Sequence, residues 1–277
     1  MPHKTVKEGI LNIAGYRFVD LPDRDDLREP FLDRCSQLEL RGTILLSPNG
    51  INFFLAGTDE SVLGFVEFLE LDERFSGIPI KKSRTDYQPF RRMLVKRKKE
   101  IISLGIPEIS PSEFTGPYIK PMDFKRLLDE EEDILVLDTR NDYEVRIGSF
   151  EGAIELGISS FRDFPNAIEF LPEEYKSKTV IMYCTGGIRC EKASAVMLNA
   201  GFSDVKQLQG GILGYFEECG GSNWNGDCFV FDQRVALDYN LDETEIRMCF
   251  KCREPLSVEE QDSGQYVIGE QCPYCAQ

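Results

Sequence analysis

The pattern of apolar and polar positions changes partway along the chain. Over the first hundred residues, short strand-like runs alternate with helical stripes. Gly9 to Val19, with its β-branched and aromatic residues, reads as a strand, and Arg24 to Leu38 reads as a helix. Gly42 to Leu46 and Ile51 to Ala56 are apolar runs joined by Ser47-Pro48-Asn49-Gly50. The Asn-Gly pair predicts a hairpin turn, because both residues tolerate positive φ. Val62, Phe65, Val66 and Leu69 recur at i, i+3, i+4 and i+7, which is one face of a helix capped near Asp59. Ile78 to Lys82 supplies a last strand. The order βαββαβ is that of a ferredoxin-like split unit.

A connector rich in Pro and Gly, Gly105 to Pro121, follows. Beyond it, Met122 to Asp129 reads as helix, and Ile134 to Leu137 and Val180 to Tyr183 as short continuous apolar strands. Glu191 to Asn199 is helical and ends at Gly201 as a C-cap, and Val205 to Leu208 is a strand before Gly210-Gly211. Short buried strands alternating with helices predict a parallel α/β sheet. The expected organisation is a ferredoxin-like domain over 1–104, a linker over 105–121, an α/β domain over 122–219 and a polar extension over 220–277.

Composition narrows the chemistry. The 277 residues are 42% hydrophobic and 29% charged, a globular balance. No apolar run approaches the roughly 20 residues of a membrane helix. The start, MPHKTVKEGILNIAGYRF, lacks a signal-peptide core, so a cytosolic location is expected. Nine cysteines in a reducing compartment point to thiol or metal chemistry rather than disulfides. The single histidine, His3, argues against Ser-His-Asp and Cys-His catalysis, HExxH zinc sites and the two-His iron triad. Cysteine, carboxylate, arginine and backbone amides remain.

The net charge of −16 argues against a polyanionic partner, but the deficit is uneven. Lys81 to Lys99 holds nine Lys/Arg and one acid, a net +8 against −24 elsewhere. Lys81, Lys82, Arg84, Arg91, Arg92, Lys96 and Arg97 are candidate RNA-phosphate contacts, with Tyr87 and Phe90 placed to stack on bases. The alternative is a solvated strand and loop whose aromatics face the core.

In VIMYCTGGIRCEKASA, Val180 to Ala195, a strand runs into Cys184-Thr185-Gly186-Gly187-Ile188-Arg189, and a helix is expected from about Cys190. Cys184 thus sits past the carboxyl end of a strand, where open α/β sheets bind ligands. Gly186 and Gly187 let successive amides converge on one centre. Those amides, the helix N-terminus and Arg189 favour the thiolate, a persulfide or a bound oxyanion. The other reading is an inert buried cysteine beside a glycine turn.

This loop resembles the Cys-x-x-Gly-x-Arg active loop of the rhodanese (sulfurtransferase) family, and VLDTRNDYEVRIGSFEGAI resembles the family's Asp-x-Arg segment. Related phosphatases have five residues between Cys and Arg, against four here, which favours sulfur over phosphate chemistry. CTGGIRCEKASA, LQGGILGYFEE, WNGDCFVFDQRVAL, LLSPNGINFFLAG and PFRRMLVKRKKEIISLG together resemble the rhodanese-related tRNA uridine hydroxylases over nearly the whole chain. The resemblance implies an acylphosphatase-like N-terminal domain and a central rhodanese domain. It also implies oxygen-dependent conversion of the tRNA wobble uridine to 5-hydroxyuridine, with dioxygen as co-substrate, the anticodon stem-loop as partner and a sulfur or electron donor. Cys184 matches the persulfide-forming cysteine. Cys190 is either a supporting thiol or a packed small residue. Asp138, Arg140 and Arg189 are either loop organisers in contact with substrate or structural ion pairs. No flavin or nicotinamide loop is visible. The rival readings are a plain sulfurtransferase and a non-catalytic rhodanese-fold module.

Cys249-Phe250-Lys251-Cys252 and Cys272-Pro273-Tyr274-Cys275 are two CxxC pairs separated by 19 residues. Two such knuckles complete a four-thiolate shell for a structural zinc, as in a zinc ribbon. The alternatives are reduced cysteines in a flexible tail, or a redox pair. Cys219 and Cys228 are placed near the active loop, and Cys35 in the core.

Overall fold

The computed structural model describes residues 9–276, so His3 lies outside the described residues. The chain forms two compact units that divide between Ser103 and Leu104.

In the first unit, β1 (Ile10–Phe18), α1 (Arg24–Gln37), β2 (Arg41–Ser47), β3 (Gly50–Gly57), α2 (Asp59–Glu70) and β4 (Lys81–Thr85) follow the expected order. The sheet order is β4-β1-β3-β2 with a fifth strand, β5 (Met93–Arg97), added parallel to β2. The charged sequence MLVKR hides this strand from a hydrophobic reading, because only Val95 of it is fully buried. Phe31, Phe53, Phe65 and Phe75 pack edge-to-face between helices and sheet, with Cys35 in the same core.

Three local expectations shift. Thr58, not Asp59, caps α2, its hydroxyl accepting from the Ser61 amide at 3.1 Å. β4 begins at Lys81, after the Pro79 that cannot donate to a ladder. The β2–β3 turn centres on Pro48-Asn49, because Ser47 pairs directly with Gly50.

In the second unit, a parallel sheet of order β6-β11-β10-β7-β9 is built from β6 (Tyr118–Ile119), β7 (Ile134–Asp138), β9 (Ile154–Glu155), β10 (Thr179–Tyr183) and β11 (Asp204–Leu208). Between them run α3 (Pro121–Asp129), α4 (Asp142–Val145), β8 (Gly148–Phe150), α5 (Phe164–Ile168) and α6 (Ile188–Asn199), and α7 (Gly211–Cys219) follows β11. The expected linker is not a plain spacer. Its end supplies β6, and Thr115 and Gly116 bond the Glu191 and Ser194 side chains of α6.

The extension also packs as part of this unit. Its first strand, β12 (Trp224–Gly226), pairs with β8. The next two, β13 (Cys228–Phe229) and β14 (Ala236–Leu237), form a hairpin. Arg146 at the end of α4 reaches Glu254 at 2.8 Å and lies over the Tyr274 ring.

Candidate active site

β10 delivers Cys184 at its carboxyl end, and α6 starts two residues earlier than expected, at Ile188. Arg189 and Cys190 therefore lie in its first turn. Gly187 makes the turn with φ of +99°, a region that disfavours side chains, and its amide donates to Cys184 Sγ at 3.1 Å. Gly186 lies between them with open space around it.

The cysteine has no solvent-exposed surface. Burial alone pushes its thiol up, but the net shift is downward. The Cys190 thiol donates to it, the Arg189 charge lies beside it, and the Arg189 and Gly187 amides point at the sulfur. Burial and the adjacent Cys184 sulfur hold Cys190 protonated, well above the ordinary thiol range. The pair thus divides into an anion and its donor. Thr139 Oγ1 lies 3.7 Å from Cys190 Sγ and also donates to the Tyr183 carbonyl at 2.9 Å.

Arg189 has both terminal nitrogens bound to Glu144, at 2.5 and 2.7 Å. Glu144 is completely buried at the third position of α4, where its carboxylate also accepts from the Asn141 amide at 3.2 Å. Sequence reading missed it. The Asn141-x-x-Glu144 spacing marks a helix start but carries no sign of the arginine.

Asp138 and Arg140 form a second buried pair, at 2.6 Å. Arg140 also donates to the Gly148 carbonyl at 2.6 Å and lies by the rings of Tyr183 and Trp224. Its donors fasten β7 to β8 rather than reach Cys184.

Two further elements hold the loop. The Ile212 and Leu213 amides of α7 donate to the carbonyls of Cys184 and Thr185, at 3.0 and 3.1 Å. Gly211 permits this approach: it has φ of +63°, and a Cβ there would lie 2.4 Å from the Cys184 oxygen. From the extension, the Phe229 carbonyl accepts from Thr185 Oγ1 at 3.3 Å. Cys228 lies close by, where burial pushes its thiol up to about 12. Cys219 is elsewhere, its sulfur 3.6 Å from that of Met122.

The basic residues do not form one stripe. Lys81, Lys82 and Arg84 lie on β4, and Lys96 and Arg97 on β5, at opposite edges of the sheet. Arg84 pairs with Asp59 at 2.7 Å and Arg97 with Asp25 at 3.3 Å. Arg91 and Arg92, in the turn before β5, line a groove of about 600 Å³ together with Arg41, a residue outside the basic run.

The four tail cysteines converge, with all four sulfurs within 4.8 Å of one another. The Cys249–Cys275, Cys252–Cys272 and Cys272–Cys275 sulfur distances are 3.9, 3.5 and 3.7 Å. Tetrahedral thiolates about 2.3 Å from a metal lie roughly 3.8 Å apart, so the set fits such an ion. Disulfide sulfurs would lie much closer, at about 2.05 Å.

Residues 10–101 match the family model described as a UPF0176 acylphosphatase like domain, and residues 120–218 match the Rhodanese-like domain. A solved rhodanese-like domain from Anabaena sp. covers 40% of this chain and 79% of its own at 24% identity, with a TM-score of 0.34. The tRNA uridine(34) hydroxylase of Cupriavidus pinatubonensis is 50% identical over 271 residues, 96% of each chain. That of Ralstonia nicotianae is 47% identical over 272 residues, again 96% of each. Identity at this level over nearly the full length of both partners shows that this chain belongs to the tRNA uridine(34) hydroxylase family.

Proposed function

We propose that this protein hydroxylates C5 of the wobble uridine of tRNA, with Cys184 as the reactive sulfur. The observation that carries the reading is a buried cysteine sulfur that accepts from the Gly187 amide at 3.1 Å beside Arg189 and Cys190, in a chain of this family. The net reaction joins uracil C5–H, dioxygen and two thiol groups to give C5–OH, water and a disulfide. One oxygen atom enters the ring and the other leaves as water. The thiol-class donor supplies the two electrons and two protons. Cys184, as thiolate or persulfide, delivers them in this reading, and Cys190 keeps it ionised by donating a hydrogen bond while retaining its own proton.

In this reading the anticodon stem-loop is the partner. The arginines of the first unit neutralise its phosphates, and the wobble base, already single-stranded, is presented at little unstacking cost. Zinc at Cys249, Cys252, Cys272 and Cys275 is structural, since four thiolates leave no open coordination position.

The test is nucleoside mass spectrometry of tRNA from a bacterium lacking its own hydroxylase, complemented with this protein or its Cys184→Ala variant. Restoration of 5-hydroxyuridine by the intact protein alone is expected. Restoration by both removes Cys184 from the chemistry. Restoration by neither, with both well expressed, leaves the plain sulfurtransferase.

A further inference from the structure

The hairpin of β13 and β14 lies beyond both matched domains, yet it reaches the cysteine loop. Its tip is rigidly built. The Val230 amide donates to the Val235 carbonyl at 2.8 Å. Val235 itself holds φ of +63°, an unfavourable conformation for a β-branched residue. Inside the tip, Arg234 bonds Asp232 through its amide, at 3.0 Å, and through its side chain, at 2.5 and 2.8 Å, with both side chains almost wholly buried. A buried ion pair and a strained valine fix six residues in one shape.

That shape presents Phe231. The residue is 51% exposed, although it follows three buried neighbours. Single exposed aromatics are ordinary on protein surfaces. This one differs in what supports it. The Arg189 guanidinium lies 5.7 Å from its ring centroid, and the Phe229 ring stands perpendicular at 5.2 Å. Phe229 is in turn met edge-on by Tyr143 at 5.3 Å. Arg189 is thereby the shared neighbour of Phe231 and of Cys184.

We infer that Phe231 is the stacking platform on which the target pyrimidine rests beside the cysteine loop, a positioning residue rather than a catalytic one. The inference rests on the hydroxylase reading for its substrate. An unpaired base brings a flat π-face and needs an aromatic partner to replace the neighbours it leaves. A ring held by the hairpin offers that face beside Arg189, whose charge also acts on the Cys184 sulfur. A fixed ring also loses little entropy on binding. Phe231 lies 47 residues after Cys184, at the end of the apolar run Cys228-Phe229-Val230, and no spacing rule ties it to the cysteine loop.

The experiment uses the full-length Phe231→Trp variant and two anticodon stem-loop RNAs, one with uridine and one with an abasic site at the wobble position. RNA binding is measured separately by filter retention. Uridine RNA should quench the added indole emission, measured as the difference from the wild-type protein, whose own Trp224 is buried. The abasic RNA should leave that emission nearly unchanged. Equal effects of the two RNAs, or binding of the uridine RNA without quenching, overturn the stacking inference and leave the hydroxylase reading intact. Absence of RNA binding by wild type and variant overturns both. In hydroxylation assays, Phe231→Ala should lower kcat/KM roughly 5- to 150-fold, the range of base–aromatic stacking. Phe231→Tyr should restore most of it and Phe231→Leu should not. Rescue by leucine would reduce Phe231 to apolar packing and overturn the inference.

Discussion

Glu144 grips both terminal nitrogens of Arg189 beneath the cysteine loop, with neither side chain more than marginally exposed. The arginine's charge is thus shared between a carboxylate and the Cys184 sulfur. Glu144→Gln should therefore have two effects. Removing one partner of a buried pair costs about 3–5 kcal/mol, so the unfolding midpoint of the second unit should fall in denaturant. The remaining thiolate gains the whole guanidinium charge, so the Cys184 pKa should drop further, read by thiolate ultraviolet absorbance. A rise in that pKa would contradict the shared-charge arrangement.

The depressed thiol pKa sets a pH window. Cys184 falls from the ordinary 9.0 to about 6, the raising effect of burial being outweighed by Cys190, Arg189 and the two amides. The folded protein thus binds fewer protons here than the unfolded chain between those two values. The resulting stabilisation is complete above the unfolded pKa and is lost as pH falls through about 6. Thiolate absorbance that is present in wild type and missing from Cys184→Ser should disappear near that lower value. Retention only above pH of about 8.5, as for a free thiol, would contradict it.

Gly211 allows α7 to seat on the loop, so Gly211→Ala should disturb Cys184 without touching its side chain. The positive φ costs of order 1–3 kcal/mol, and the Cβ collides with the Cys184 carbonyl. Hydroxylation should fall at least tenfold, and Cys184 thiolate absorbance should shift toward higher pH. Full activity with unchanged stability would show that the loop stands without α7.

The basic residues should divide by their ion pairs. Arg41, Arg91 and Arg92 share a groove, whereas Arg84 and Arg97 are engaged by aspartates. Alanine at any of the first three should weaken tRNA binding and lower the salt slope by about one. Alanine at Arg84 or Arg97 should change both less. Equal effects would mean that the aspartates release their arginines to RNA.

The tail cysteines make a metal assay decisive. Unchelated protein should hold about one zinc per chain, and its removal should expose residues 247–276 to protease, because metal binding supplies folding free energy to a segment with little core. Metal content below about half an ion per chain would contradict a filled four-thiolate site.

The sequence by itself determined the features whose cause is local. Apolar and β-branched runs placed β1, β2 and β3, and the i, i+3, i+4, i+7 stripe placed α2, because these side chains must pack into the core. The Cys-x-x-Gly-x-Arg loop and the paired CxxC knuckles were visible because their ligating or cradling atoms come from adjacent residues. Tertiary structure decided whatever depended on residues distant in the chain. β5 exists because β2 offers an open edge to a strand too charged to announce itself. The basic run, continuous in sequence, was split between opposite sheet edges by the strands at its two ends. Glu144 became the partner of Arg189, and Phe231 its neighbour, through contacts spanning 45 and 42 residues, for which no spacing rule exists. A buried charge requires an opposite charge near it, but only the folded chain fixes which one arrives.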